Sequence, residues 1–278
     1  MRKIDSHLHF WNYEPVKDAW ITDEMGVLKQ DFSPDQLLPL CMAEGIGAGV
    51  AVQADQSEAE TAYLIGLSQA YDFIQGVVGW VDLRSPDVAD RLDHFSQYPV
   101  VKGYRHIVQS ERQDDFLLWD DFCRGGAELG RRGLTYDVLI YPKHLPYALE
   151  FVRRFPNQRF MIDHIAKPAI RDGQFETWRR ALEPFGREAH VSCKIAGLTT
   201  EAHWHAWQSS DFARYLDAVL EIFGSDRLVF GSDWPVCLVG ADYTQTCRIL
   251  SENMAQLSKA EKEKIWGGNC ARFYDLPG

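Results

Sequence analysis

The chain has 278 residues, with 40 acidic against 29 basic side chains and a formal net charge of −11. That length suits one large-cored domain, residues 1–278, and the acidic balance argues against nucleic acid or an anionic membrane as a partner, since both call for basic patches. Six cysteines (Cys41, Cys123, Cys193, Cys237, Cys247, Cys270) form no C-x-x-C pair; they read as small buried residues in a reducing compartment, and without an apolar leader or membrane-length run the expectation is a cytoplasmic protein.

Short apolar runs alternate with amphipathic stretches along the chain. The first predicted strand, 3–10, precedes a helix at 34–44. Strand and helix then repeat at 48–54 and 57–70, 73–82 and 86–97, 100–108 and 119–131, 133–141 and 143–155, 159–166 and 175–187, and 190–197 and 211–223. The eighth strand, 227–233, is followed by helices at 243–256 and 259–267. Ser33-Pro34-Asp35-Gln36, Ser57-x-x-Glu60 and Ser258-x-x-Glu261 are helix-start boxes, and Ser85-Pro86 gives a similar start without the glutamate. Gly45, Gly133 and Gly224 mark helix ends. Eight β/α repeats without a linker or composition break predict an α/β fold, a (β/α)8 TIM barrel, with an open doubly wound sheet as the rival. The longest irregular pieces, 11–31 and 198–210, follow strands and so fall on the face where barrel enzymes build active sites.

Ile4-Asp5-Ser6-His7-Leu8-His9-Phe10 carries the strongest chemical signal. Side chains alternate along a strand, so His7 and His9 face the same way, roughly 6–7 Å apart, and can grip one divalent cation. A second copy, His203-Trp204-His205, lies in a polar segment where strand geometry does not converge the rings; its role would be substrate contact at most. Asp233, in Gly231-Ser232-Asp233-Trp234-Pro235, ends the eighth strand beside the first. A carboxylate there can bind a cation, take a proton from water, or both, although its neighbours also suit a turn aspartate. Asp163-His164 ends the sixth strand, where His164 can supply a third imidazole and Asp163 can orient a ring.

Lys194, within Val191-Ser192-Cys193-Lys194-Ile195-Ala196-Gly197, either faces the lumen and offers charge to a developing oxyanion or snorkels at the strand end. Arg105-His106 ends the fourth strand. Adjacent residues point opposite ways, so at most one of them enters the lumen, and the donor fork of Arg105 suits a carboxylate. Gln53, Trp80, Asp82, Tyr136 and Tyr141 also lie at or near strand ends. Trp11, Trp20, Trp204, Trp207 and Trp234 could wall a pocket. There is no G-x-S-x-G and no Walker A sequence, and the glycine-rich run 45–49 precedes a strand instead of opening a helix.

Asp5-Ser6-His7-Leu8-His9-Phe10-Trp11, Lys102-Gly103-Tyr104-Arg105-His106, Ile162-Asp163-His164-Ile165-Ala166-Lys167-Pro168, Cys193-Lys194-Ile195-Ala196-Gly197-Leu198 and Gly231-Ser232-Asp233-Trp234-Pro235 together resemble the amidohydrolase superfamily, specifically its lactonase branch. Asn269-Cys270-Ala271-Arg272-Phe273-Tyr274 resembles that branch's C-terminal helix, so the resemblance spans nearly the whole chain. It implies a (β/α)8 barrel that hydrolyses carboxylate esters closed into rings. Members act on sugar acid lactones such as L-fuconolactone and L-rhamnonolactone, and on pyrone dicarboxylate lactone. By motif position His7, His9, His164 and Asp233 would form the centre and hold one divalent ion, zinc by expectation, with Asp233 activating water. Binuclear members of the superfamily carry a bridging lysine and two later strand histidines. Here His164 is the one such histidine and Lys194 stands where another would be, so a binuclear centre is not expected; the pyrone lactonases of the branch work without metal.

The expected catalytic set is therefore Asp233, His164 and Lys194, with Arg105, His106, Gln53, Tyr141 and Trp20 as substrate contacts. A neutral sugar lactone is favoured over a dicarboxylate because two carboxylates would call for several arginines, and only Arg105 sits clearly at a strand end; Arg84 and Arg171 could reach in from loops. The rivals are a metal-dependent decarboxylase, which would need another strand histidine, and a barrel that only binds a small polar ligand. A small-molecule lactone is the expected partner, with homo-oligomerisation left open.

Overall fold

Eight parallel strands pair in sequence order: β1 (Lys3–Leu8), β2 (Ile46–Val52), β3 (Ile74–Gly79), β4 (Val101–His106), β5 (Thr135–Val138), β6 (Phe160–Ile162), β7 (Val191–Ile195) and β8 (Leu228–Phe230). The computed structural model describes residues 2–277, and the chain is the expected (β/α)8 barrel. The last seam, between β8 and β1, is stitched by side chains as well as by backbone. Ser6 Oγ donates to the Phe230 carbonyl at 2.6 Å, and one Asp5 oxygen accepts from the Ser232 amide at 2.9 Å. The Tyr243 hydroxyl donates to the other Asp5 oxygen at 3.0 Å, and the Asp233 amide donates to the His7 carbonyl at 3.0 Å. The conspicuous polar start of β1 thus closes the barrel beside the residues it presents.

The helices are α1 (Pro34–Ala43), α2 (Glu58–Ala70), α3 (Val88–Phe95), α4 (Asp120–Arg131), α5 (Leu145–Arg154), α6 (Phe175–Leu182), α7 (Ala213–Phe223), α8 (Tyr243–Asn253), α9 (Lys259–Glu263) and α10 (Asn269–Phe273). The Ser57 side chain accepts from the Glu60 amide and the Ser258 side chain from the Glu261 amide, satisfying orphan donors at the starts of α2 and α9. In α4 the buried residues Phe122, Gly125, Gly126 and Leu129 recur at helical spacing, a stripe that packs on the sheet. Inside the barrel a separate core joins Ile4, Val50, Val78, Met161 and Val229 to Phe273, Tyr274 and Leu276, so the C-terminal segment plugs the lumen.

Element ends differ from expectation where local chemistry overrides the apolar run. The strand expected at 159–166 stops at Ile162 because residues 164–167 turn left-handed. The helix expected from Pro86 begins at Val88, after the Ser85 hydroxyl has bonded the Asp87 carboxylate. The helix expected at 259–267 runs through a π-turn, Lys264–Gly268, into α10. All six cysteines are free, and among the described residues no helix is long and apolar enough to cross a membrane.

Candidate active site

At the C-terminal end of the strands, β1, β6 and β8 bring His7, His9, His164 and Asp233 together. Nε2 of His7 and Nε2 of His9 lie 3.1 Å apart, and Asp233 Oδ1 lies 3.3 Å from His9 Nε2 and 3.8 Å from His7 Nε2. His164 Nδ1 is 3.9 Å from the other Asp233 oxygen. All four side chains are buried. Burial, with the Lys194 ammonium alongside, holds His7 well below the usual imidazole range. Burial likewise lowers His9 and brings His164 down to about 4. Burial opposes ionisation of Asp233, yet His164, His9 and His7 keep its carboxyl below the usual carboxylate range. At neutral pH the cluster is therefore one carboxylate among three neutral imidazoles.

Beneath this cluster lies a charged layer closed off from water. Lys194 Nζ, fully buried, contacts Asp137 Oδ2 at 2.5 Å, Asp163 Oδ1 at 3.0 Å and His7 Nδ1 at 3.1 Å. The Tyr274 hydroxyl, rising from the C-terminal plug, donates to Asp137 at 2.7 Å. Arg105 Nη1 bonds Asp163 at 3.1 Å and lies 3.1 Å from His7 Nε2. Burial works against the Lys194 ammonium, but Asp137 and Asp163 raise it and keep it charged. Burial likewise opposes the Asp163 carboxylate, which Lys194, His7 and Arg105 nevertheless hold well below the usual range. A buried charge survives only when paired in this way.

The pocket above, about 150 Å³, is lined by His9, Trp20, Ala54, Arg105, Ile107, Gln109, Ser110, Leu139, His164, Lys167, Asp233 and Val236. One wall depends on an unusual backbone. His164, Ile165, Ala166 and Lys167 have φ of 52°, 46°, 60° and 48°. Each left-handed non-glycine residue costs about 1–2 kcal/mol, and a β-branched one is a genuine outlier. The Trp178 indole, donating to the Ile165 carbonyl at 2.7 Å, and the Lys167 amide, donating to the His164 carbonyl at 2.8 Å, pin this turn. Gly197, itself at φ +64°, makes room for it, since a Cβ there would sit 2.8 Å from His164 Nδ1.

The expected residues fall into separate layers. Arg105, Trp20, His9, His164 and Asp233 line the pocket, and His7 lies directly under it. Lys194 does not reach the pocket: it sits below His7 with no exposed surface, a place that corrects its expected role beside the substrate. Gln53 is also fully buried; its Oε1 accepts from Arg105 Nη2 at 3.3 Å and its Nε2 donates to the Arg105 carbonyl at 3.0 Å, so it orients Arg105 and does not line the cavity. His106 points the other way, bonded to Glu111 at 2.8 Å and stacked on Phe116. Tyr141, 37% exposed, stands at the rim with its ring 5.7 Å from Lys167 Nζ. His203 and His205 are exposed outside the pocket, while Trp11 and Trp234 pack in the core. Lys167, Gln109 and Ser110 were not anticipated. Lys167 lies three residues past His164 in a quoted motif, but only the left-handed turn brings it to the pocket.

The donor set fits a divalent cation. His7, His164 and Asp233 each offer an atom within 4.8 Å of the others. His164 Nδ1 is buried without a hydrogen-bond partner, and the His9 ring is oriented through Nδ1, 2.7 Å from the Val52 carbonyl, which leaves its Nε2 toward the cluster. Neutral imidazoles and an ionised carboxylate are the protonation states that metal binding requires.

A family model described as "Amidohydrolase" matches residues 4–276. An L-fucono-1,5-lactonase of Burkholderia multivorans is 40% identical over 99% of this chain and 96% of its own length. An L-fucono-1,5-lactonase of Burkholderia ambifaria is 33% identical over the same shares. The crystal structure of an amidohydrolase from Burkholderia multivorans with bound Zn is 41% identical, covers both chains completely and superposes with a TM-score of 0.96.

Proposed function

We propose that this chain, which belongs to the amidohydrolase family, hydrolyses a sugar acid lactone of the L-fucono-1,5-lactone type. One observation carries the chemistry: the Asp233 carboxylate converges with the imidazoles of His7, His9 and His164 at the base of the pocket. A carboxylate placed there can take a proton from an attacking water.

Asp233 takes a proton from water as the water oxygen attacks the lactone carbonyl carbon. Arg105, held by Asp163 and Gln53 with its Nε unpartnered, supplies positive charge to the carbonyl oxygen as it becomes an oxyanion. As the bond between that carbon and the ring oxygen breaks, Asp233 returns the proton to the departing alkoxide, leaving an open-chain hydroxy acid. Lys194 acts through His7, fixing the ring from below. His7, His9, His164 and Asp233 would hold a divalent cation, zinc by the character of the donors, which would polarise the carbonyl.

A single arginine in the pocket favours a neutral ring over a dicarboxylate, which would call for several. Arg84 is engaged by Asp121 at 2.8 Å, and Arg171 lies outside the lining beside Asp172 at 3.5 Å, so Arg105 is the one arginine in the lining. The decarboxylase reading wanted another strand histidine, and β5 brings Asp137, bound to Lys194, to that level instead. Free cysteines throughout support placement in a reducing cytoplasm.

Asp233→Asn tests the base assignment. The variant should stay folded while kcat/KM for L-fucono-1,5-lactone falls about 10²- to 10⁴-fold. Full hydrolytic rate in a folded Asp233→Asn protein would remove Asp233 from the mechanism.

A further inference from the structure

Lys167 is the one cation in the pocket lining that the hydrolytic scheme leaves without a task. It is delivered there by four consecutive left-handed residues, a conformation that a chain maintains where the placement of a side chain requires it. Its side chain is 16% exposed, and among the described residues its Nζ makes no hydrogen bond. The nearest carboxylate oxygen, Glu201 Oε1, stands 3.7 Å away on the loop after β7, with its side chain 20% exposed. The Tyr141 ring faces the ammonium from 5.7 Å.

We propose that Lys167 and Glu201 form a hydroxyl-reading pair that selects polyhydroxylated lactones, the ammonium donating to sugar oxygens in the pocket while Glu201, outside the lining, positions that ammonium from 3.7 Å away. The pair rests on the lactonase reading and names what that site recognises away from the carbonyl. A hydroxyl oxygen accepts as well as donates, so adjacent hydroxyls are matched by a cation with several protons to give. An ammonium has three such protons. A pair separated by 3.7 Å leaves much of that capacity unused. Arg105, His9, His164 and Asp233 occupy the end of the pocket where the ester reacts, so Lys167 is free to hold the rest of the ring. Specificity of this kind is strong because a ring lacking the hydroxyls leaves the ammonium without hydrogen-bond acceptors.

The test compares two six-membered lactones, L-fucono-1,5-lactone and the hydroxyl-free δ-valerolactone, on wild type, Lys167→Met and Glu201→Gln. Wild type should prefer the sugar lactone. Each variant should lower the ratio of the two kcat/KM values about 10- to 100-fold, chiefly through KM for the sugar lactone. Met at residue 167 carries the same backbone penalty as Lys, and circular dichroism confirms folding. Equal losses on both lactones, an unchanged ratio in either folded variant, or a wild type that opens both without preference would overturn the pair while leaving the lactonase reading in place. A wild type inactive on both lactones would defeat that reading and the pair with it.

Discussion

Removing the buried cation at the centre of the barrel is the sharpest structural perturbation available. In Lys194→Met the Asp137 carboxylate loses its 2.5 Å partner and keeps the Tyr274 hydroxyl; Asp163 loses a 3.0 Å contact and keeps Arg105. Deleting one member of a buried ion pair costs about 3–5 kcal/mol, against about 5–15 kcal/mol for a typical domain's whole stability. Lys194→Met/Asp137→Asn removes the stranded charge as well and should recover about 2 kcal/mol, so the double variant is more stable than the single one. The pH dependence has a definite sign. Burial, opposed by Lys194, already pushes Asp137 up to about 6 from its usual 3.8. Without the ammonium the folded-state value rises further, so the folded protein binds more protons than the unfolded chain. Stability of the variant then falls as pH rises above about 4, and its deficit against wild type is larger at about pH 8 than at about pH 5. Urea denaturation of the three proteins, followed by tryptophan fluorescence and circular dichroism at both pH values, measures this. A single variant within about 0.5 kcal/mol of wild type at the higher pH, or a double variant no better than the single one, would refute the reasoning.

Gly197→Ala should place a Cβ 2.8 Å from His164 Nδ1 at φ +64°, costing about 1–2 kcal/mol of stability and about 100-fold in kcat/KM by displacing the ring; unchanged kinetics would show that the turn tolerates it. Glu60, 6% exposed, is pushed by burial from 4.5 up to about 7 and so destabilises the fold as pH rises through that interval. Glu60→Gln keeps an acceptor for the Ala54 amide, and its stability relative to wild type should be near parity at about pH 4.5 and higher by about 2–4 kcal/mol above pH 7; a difference independent of pH would contradict this. Trp20, 41% exposed and on the pocket wall, should be replaceable by Ala with little change in stability and about a 10-fold rise in KM, checked by parallel melting and kinetic curves.

The barrel was legible because short, largely apolar runs alternate with amphipathic stretches, several of them opened by capping signals, and that alternation repeats eight times. His7, His9, His164 and Asp233 were legible because strand alternation and position at strand ends locate a residue on the lumen face. Depth along the barrel axis was not legible. Alternation says that Lys194 and Gln53 point away from the helix layer, yet it does not say that His7 lies above one and that the other is folded against Arg105. The choice between Arg105 and His106 followed from register, which pairs Arg105 with Asp137 and His106 with Val138 and leaves Glu111 to capture the outward ring. Lys167 escaped notice because a run of left-handed non-glycine residues has no sequence signature; Ile165 and Ala166 would ordinarily continue a strand or open a helix.

The central claim is hydrolysis of a neutral sugar lactone, and proton release from L-fucono-1,5-lactone, followed with a pH indicator against the spontaneous rate, tests it most directly. Metal-replete and chelator-treated protein are measured alongside L-rhamnono-γ-lactone and a pyrone dicarboxylate. The prediction is a kcat/KM of about 10⁴ M⁻¹s⁻¹ or more on L-fucono-1,5-lactone, with the dicarboxylate far slower. Opening no faster than background on every neutral lactone, with zinc supplied, would contradict it.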